Sequence, residues 1–206
     1  MPGVDFKKEL KHLYNPSAKE VSVVEAPPLS FLMVDGQGDP STSPEFAAAF
    51  ELLYPVAYTL KFMLKKLGGF EDYVVGPPEA LWWVEDGDYA SFADRRDEWR
   101  WTVMLLQPEW ITAEMVASAK EEVARKKKGL AGLEKVRLER FAEGPSVQIM
   151  HLGPYSEETE NIGKLHAKIA ELGGKPVGKH HEIHLSDPRR SAPEKMKTVV
   201  RQPYAT

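Results

Sequence analysis

Apolar and polar positions change rhythm along this chain, and the changes predict alternating strands and helices. After a mostly polar lead-in, Phe6 to Tyr14, that reads as peripheral, Val21 and Val23 alternate with polar neighbours and predict a short strand. Ala26-Pro27-Pro28 turns the chain into a second strand, Phe31-Leu32-Met33-Val34, which stops at Asp35-Gly36-Gln37-Gly38. A helix follows. Ser43 is a natural N-cap and Pro44 suits the first helical position. Phe46, Phe50, Leu53, Ala57, Leu60, Leu64 and Leu67 then form one apolar stripe that Gly68-Gly69 ends. Pro55 removes a hydrogen bond inside that helix and predicts a kink. Two more strands, Leu81 to Val84 and Arg100 to Leu106, flank a polar connection from Glu85 to Glu98. A second helix begins at Thr112 and runs to Lys128-Gly129.

The second half repeats the first. Val136 and Leu138 alternate as Val21 and Val23 do, and Gly144-Pro145 turns the chain into Val147-Gln148-Ile149-Met150. Ser156 is the expected cap of a helix with the stripe Ile162, Leu165, Ile169 and Leu172, ended by Leu172-Gly173-Gly174 as Leu67-Gly68-Gly69 ends the earlier one. Strands at His180 to Leu185 and Met196 to Arg201 complete the copy. The order predicts an α+β fold: duplicated strand–helix–strand–strand units forming one antiparallel sheet, helices on one face, and a central groove for a ligand. One domain over 1–206 is expected, with pseudo-repeats at about 20–107 and 134–204 joined by the helix at about 112–128.

Composition narrows the function classes. A formal charge of −4 gives no general attraction to nucleic acid or anionic membrane. No cysteine is present, which excludes disulfides, thiolate metal sites and thiol nucleophiles and fits a cytoplasmic protein. The N-terminus lacks the apolar core of a signal peptide, and uninterrupted apolar runs are far short of a membrane span. The triplet Lys126-Lys127-Lys128 reads as a solvated helix end rather than a nucleic-acid patch.

Candidate chemistry centres on acids and rings. Aligning the two Leu-Gly-Gly terminators sets Pro77-Pro78-Glu79 opposite His180-His181-Glu182, so Glu79 and Glu182 take equivalent places at the groove edge. Glu182 alternates with Ile183 and Leu185, so it projects from a half-buried strand, where a carboxylate needs a cation or donor. The plainer alternative is an exposed strand glutamate paired with Lys or Arg. Trp82, Trp83, Trp99 and Trp101 crowd two strands; Trp82 and Trp83 must point to opposite faces, and Trp99 and Trp101 share one. They serve either as core or as a platform for a flat or cationic ligand. His180, Glu182 and His184 also share a face, but three ligands from one straight strand converge poorly, and no metal is expected. Glu157 and Glu158 open the later helix beside Tyr155, either complementing its dipole or overhanging the groove. No nucleotide loop, Gly-x-Ser-x-Gly or His-Glu-x-x-His pattern occurs, and no cofactor is expected.

The duplicated unit, Gly36-Gln37-Gly38-Asp39-Pro40, Pro78-Glu79-Ala80-Leu81-Trp82-Trp83, Leu152-Gly153-Pro154-Tyr155 with Glu157, and Glu182 together resemble the GyrI-like small-molecule-binding family over roughly residues 20–204. That family includes effector domains of multidrug-sensing regulators, which bind lipophilic cations through aromatic faces and a buried glutamate; Glu182 matches its position. This chain lacks their DNA-binding helix-turn-helix. It is similar to a stand-alone subfamily that hydrolyses the cyclopropane ring of DNA-alkylating natural products. The resemblance implies Glu157 and Glu182 as acidic groups, with Tyr155 and one or more of Trp82, Trp83 and Trp101 in an aromatic cage; Glu79, from the repeat alignment, is expected at the edge of the ligand groove. The expected function is binding of hydrophobic, planar or cationic small molecules in xenobiotic protection, with hydrolysis added in the subfamily. The alternative is a protein-interaction module that lays a peptide in the aromatic groove. The oligomeric state is left open.

Overall fold

A computed structural model of the chain describes residues 3–86 and 94–206, so the middle of the polar connection between Glu85 and Glu98 lies outside the described residues. Two helical turns, α1 (Phe6–Glu9) and α2 (Lys11–Tyr14), precede β1 (Ser22–Ala26), β2 (Leu29–Gln37) and the long helix α3 (Pro44–Leu67). Then come β3 (Glu79–Trp83), β4 (Arg100–Gln107), α4 (Ala113–Lys126), β5 (Arg137–Phe141) and β6 (Gly144–Leu152). The chain ends with α5 (Thr159–Glu171), the two-residue β7 (Lys175–Pro176), β8 (His180–His184) and β9 (Lys197–Ala205). The fold is α+β. Its strands form an open antiparallel sheet in the order β1-β6-β9-β8-β3-β4-β2-β5, with β7 beside β9.

The chain divides into two compact units that do not coincide with the sequence repeats. The first strand of each repeat pairs with a strand of the other repeat, within one unit: β1 lies against β6, and β5 against β2. The repeat in sequence therefore becomes a pair of exchanged edge strands.

One unit comprises Met1–Asp5, Leu29–Gly76 and Trp82–Phe141. β2 is its centre, with Met33 opposite Met104 of β4 and Leu32 opposite Leu138 of β5. Phe31, Leu32, Met33 and Val34 are all buried, so both faces of β2 are covered. α3 packs on β2, β4 and α4. By length and composition alone α3 is long and apolar enough to cross a membrane, although no uninterrupted apolar run is. Its stripe Leu53, Val56, Ala57, Leu60 and Leu64 is instead the buried core of this unit. Gly36 faces Trp101 across the β2–β4 ladder, and a Cβ there would run into the indole ring.

The other unit comprises Phe6–Pro28, Pro77–Leu81 and Ala142–Thr206. β9 is central, setting Val200 between Ile149 of β6 and Glu182 of β8. α5 lays Leu165 and Ile169 on Val147, Ile149 and Val200. The lead-in is not peripheral, because Leu13 and Tyr14 are only 1% and 3% exposed. Side chains on the sheet face away from α5 hold it. Gln148 Nε2 donates to His12 O at 2.6 Å, and Arg201 Nη2 donates to Leu13 O at 2.9 Å.

Candidate active site

On β8 the strand period of two sends His180, Glu182 and His184 to the α5 side and His181 and Ile183 to the other. Glu182 opposite Val200 and His184 opposite Thr198 fix this register. His184 Nε2 lies 3.0 Å from Glu182 Oε2, and His180 Nε2 lies 3.6 Å from Oε1, so one carboxylate sits between two rings. The Tyr155 ring stands 5.1 Å from that of His184. Among the described residues no three ligating side chains converge as a metal ion requires.

The start of α5 brings a second carboxyl to this place. After Gly153-Pro154, a 3₁₀ turn at Tyr155–Glu157 intervenes, and the N-cap is Glu158 rather than Ser156. The turn is closed by Glu157 N–H donating to Pro154 O at 3.0 Å and Glu158 N–H to Tyr155 O at 3.2 Å. The tighter turn leaves Glu157 in solvent and drives Glu158 inward to 4% exposure. Glu158, not Glu157, is thus the acidic neighbour of Glu182.

Their environments push the two carboxyls apart. Burial, and then the negative charge of Glu182, raise Glu158 far above the carboxylate range. Burial also pushes Glu182 up, but His180 and His184 outweigh it and hold Glu182 below its ordinary value. The two shifts run in opposite directions, the arrangement that divides acid from base where acid–base chemistry is carried out. Burial, then Glu182, push the Tyr155 hydroxyl up to about 12, so it stays a neutral donor. Glu158 Oε1, Thr198 Oγ1 and His180 Nε2 are buried polar atoms with no hydrogen-bond partner among the described residues.

His151 at the end of β6 ties the turn down. Its Nε2 lies 3.0 Å from Pro154 O and its Nδ1 3.0 Å from Asn161 Nδ2 on α5. A carbonyl only accepts, so Nε2 carries the proton and Nδ1 accepts from the amide.

The remaining candidates lie elsewhere. Glu79, expected at a ligand groove, is 1% exposed and internally paired. It accepts from Tyr14 Oη at 2.5 Å and meets His181 Nε2 at 2.9 Å; His181 Nδ1 and Arg201 Nη1 reach Glu143 at 3.0 and 2.8 Å. The terminator alignment had made Glu79 and Glu182 equivalent, but parity separates them: Glu79 joins His181, and Glu182 takes the opposite face of β8. Trp82 and Trp101 are buried around Phe46, with centroids 5.3 and 5.2 Å from it, and Trp99 lies 5.6 Å from Trp82. Trp83, of opposite parity, is partly exposed. His151 is not marked by the sequence, and Glu158 is marked only together with Glu157. Parity from β6 could have found His151, but nothing local distinguishes Glu158 from Glu157.

Among solved structures, the chain is similar to an uncharacterized conserved protein from Listeria innocua, with 42% identity, TM-score 0.89, and 98% of this chain and 100% of that one covered. It is also similar to a hydrolase from Listeria innocua, with 40% identity, TM-score 0.85 and the same coverage. A likeness of fold alone links it to the EcmrR C-terminal domain at 11% identity, TM-score 0.56, covering 91% of this chain and 98% of that one. No family model matches the chain, and no curated protein matches it.

Proposed function

This chain belongs to the family of the Listeria innocua proteins it matches at 40–42% identity, and we propose that it is a hydrolase of hydrophobic, planar or cationic small molecules working through Glu158 and Glu182. The observation that carries the proposal is the carboxyl pair: Glu158, 4% exposed, is pushed up by burial and by Glu182, and Glu182, its side chain 15% exposed, is held below its ordinary value by His180 and His184. The name of the Listeria innocua hydrolase supports the reaction class. The EcmrR C-terminal domain shares the fold, and fold alone does not imply activity.

In the finer form of the proposal the substrate carries a strained cyclopropane ring, the setting is protection from DNA-alkylating xenobiotics, and the location is the cytoplasm. Glu182 accepts a proton from water as the water oxygen bonds to the ring carbon. The strained carbon–carbon bond breaks, and its electron pair passes into the substrate's conjugated system, which takes the proton of Glu158. One water is added in total, and proton exchange between the carboxyls and solvent restores the site. Acid–base assistance of this kind contributes ~10²–10⁴-fold, and positioning supplies much of the rest. Tyr155 and His184 offer ring faces to the carbon where positive charge develops. Of the tryptophans implied by the resemblance, Trp83 is the partly exposed one, while Trp82 and Trp101 are buried.

Two measurements separate binding from turnover. A thermal-shift screen of planar cationic dyes and cyclopropane-bearing alkylators should raise the melting temperature of the wild type and less so that of Glu182→Gln. Product analysis should show the ring opened by wild type and intact with Glu158→Gln or Glu182→Gln. An intact ring after prolonged incubation with wild type removes the hydrolase but leaves a binder. No thermal shift with any compound removes both.

A further inference from the structure

α3 carries a second apolar stripe that the core does not use. Tyr54, Tyr58 and Phe62, four residues apart, stack along the helix with successive centroids 6.2 Å apart and ring planes within 24°. Tyr58 and Phe62 remain 45% and 57% exposed, whereas the core stripe of the same helix is buried. Three rings in a solvent-facing ladder contribute little to folding, and on a soluble protein they mark an interaction site.

The ladder is one wall of a concavity of about 690 Å³ between α3 and α4, a size usual for small-molecule sites. Its other wall holds the basic end of α4. Lys66, Arg125, Lys126 and Lys127 line it against one carboxylate, Glu122, which pairs with Arg125 and, at 2.9 Å, with Lys126. Lys66 and Lys127 have no ion pair among the described residues, while Lys61 and Lys65 are engaged by Asp72. A local excess of three positive charges stands on a chain whose total is −4. Cations at a helix C-terminus complement its dipole, but that accounts neither for the rings nor for the concavity.

We propose that this groove binds an amphipathic organic anion, an aryl or alkyl body on the Tyr54–Tyr58–Phe62 ladder and an acid head between Lys66 and Lys127. Charge selects among the occupants. A lipophilic cation is repelled here, and a second copy of the chain seated groove to groove would oppose two basic rims. The site is separate from the carboxyl pair and prefers the opposite charge.

The test uses the full chain and two dyes of similar shape, anionic anilinonaphthalene sulfonate and neutral phenylnaphthylamine. The wild type should bind one sulfonate dye per chain. Phe62→Ala, at an exposed position, should weaken both dyes. Lys66→Glu with Lys127→Glu should weaken the sulfonate about tenfold at low salt and the neutral dye less than about twofold, and raising ionic strength from roughly 0.05 to 0.5 M should erode the difference. Glu182→Gln should leave sulfonate binding unchanged, which keeps this outcome independent of the hydrolase. The proposal is overturned if the charge reversal changes nothing, if the two dyes bind equally, or if Phe62→Ala only dissociates an oligomer seen by sedimentation.

Discussion

His181 and Glu182 are neighbours on β8 but belong to two separate ionic networks on opposite faces of the sheet. His181 lies among Glu79, Glu143 and Arg201 under the N-terminal lead-in, and Glu182 lies among His180, His184 and Glu158 on the side of α5. One network is fully paired; the other retains orphaned polar atoms. That contrast marks the first as a structural cluster and the second as the candidate site.

Glu158→Gln and Glu182→Gln should differ in stability while both abolish turnover. Glu158 is protonated in the fold, so glutamine is close to an isostere and the change in unfolding free energy should stay within about 0.5 kcal/mol near pH 5. Glu182→Gln withdraws the charge that His180 and His184 surround and should cost about 1–3 kcal/mol. Urea unfolding of the pair checks this, and equal losses would sink the assignment of charge states.

Stability should peak in weak acid. Glu143, held at about 2 against an ordinary 4.5 because His181 and Arg201 outweigh its burial, stabilises above pH 4.5 and loses that contribution as pH falls through 2. His181, raised to about 9 from 6.5 because Glu143 and Glu79 outweigh its burial, stabilises below pH 6.5 and loses that contribution as pH rises through 9. Glu158, raised above its ordinary 4.5, adds an alkaline loss that starts at lower pH. Melting temperature across pH should therefore be highest at about pH 4.5, fall from there as Glu158 ionises in the unfolded chain and more steeply above about 6.5, and Glu158→Gln should leave a plateau between about 4.5 and 6.5.

His151→Ala should loosen the turn that carries Tyr155 and Glu158. It removes the bond to Pro154 O and frees Asn161, which costs about 1–3 kcal/mol. Crystallography or solution exchange should show the 3₁₀ turn altered, and turnover should fall more than binding, because Glu182 keeps its partners. An unchanged turn and unchanged kcat would show that the imidazole has no positioning role.

Gly36→Ala should destabilise by about 1–3 kcal/mol or more, since its methyl enters the Trp101 ring and the ladder must shift. Near-ultraviolet circular dichroism would register the displaced indole. The α5 side of the other unit should be untouched, so loss of the Glu158–Glu182 charge difference in this variant would contradict the division into units.

Strands and helices were readable because each rests on local periodicity. The stripe from Leu53 to Leu64 and the alternation of Val147 and Ile149 mark their elements whatever the rest of the chain does. Glu182 was legible for the same reason: its parity on β8 follows from its neighbours. Glu79 was misplaced because a terminator alignment is good to one residue, and one residue on a strand changes the face. The tryptophans were legible as a group but not one by one, since parity separates Trp82 from Trp83 without saying which face is the core.

By itself, the sequence determined the α+β class, the order of elements, the absence of thiol side chains and the face of β8 that Glu182 takes, all properties of local pattern and composition. Tertiary structure alone decided that Glu158 rather than Glu157 meets Glu182. It also decided that Tyr14 closes the face behind them and that the first strands of the repeats exchange partners. Those outcomes depend on a 3₁₀ turn, long-range hydrogen bonds and desolvation, and burial is a property of the whole fold that no single stretch of chain carries.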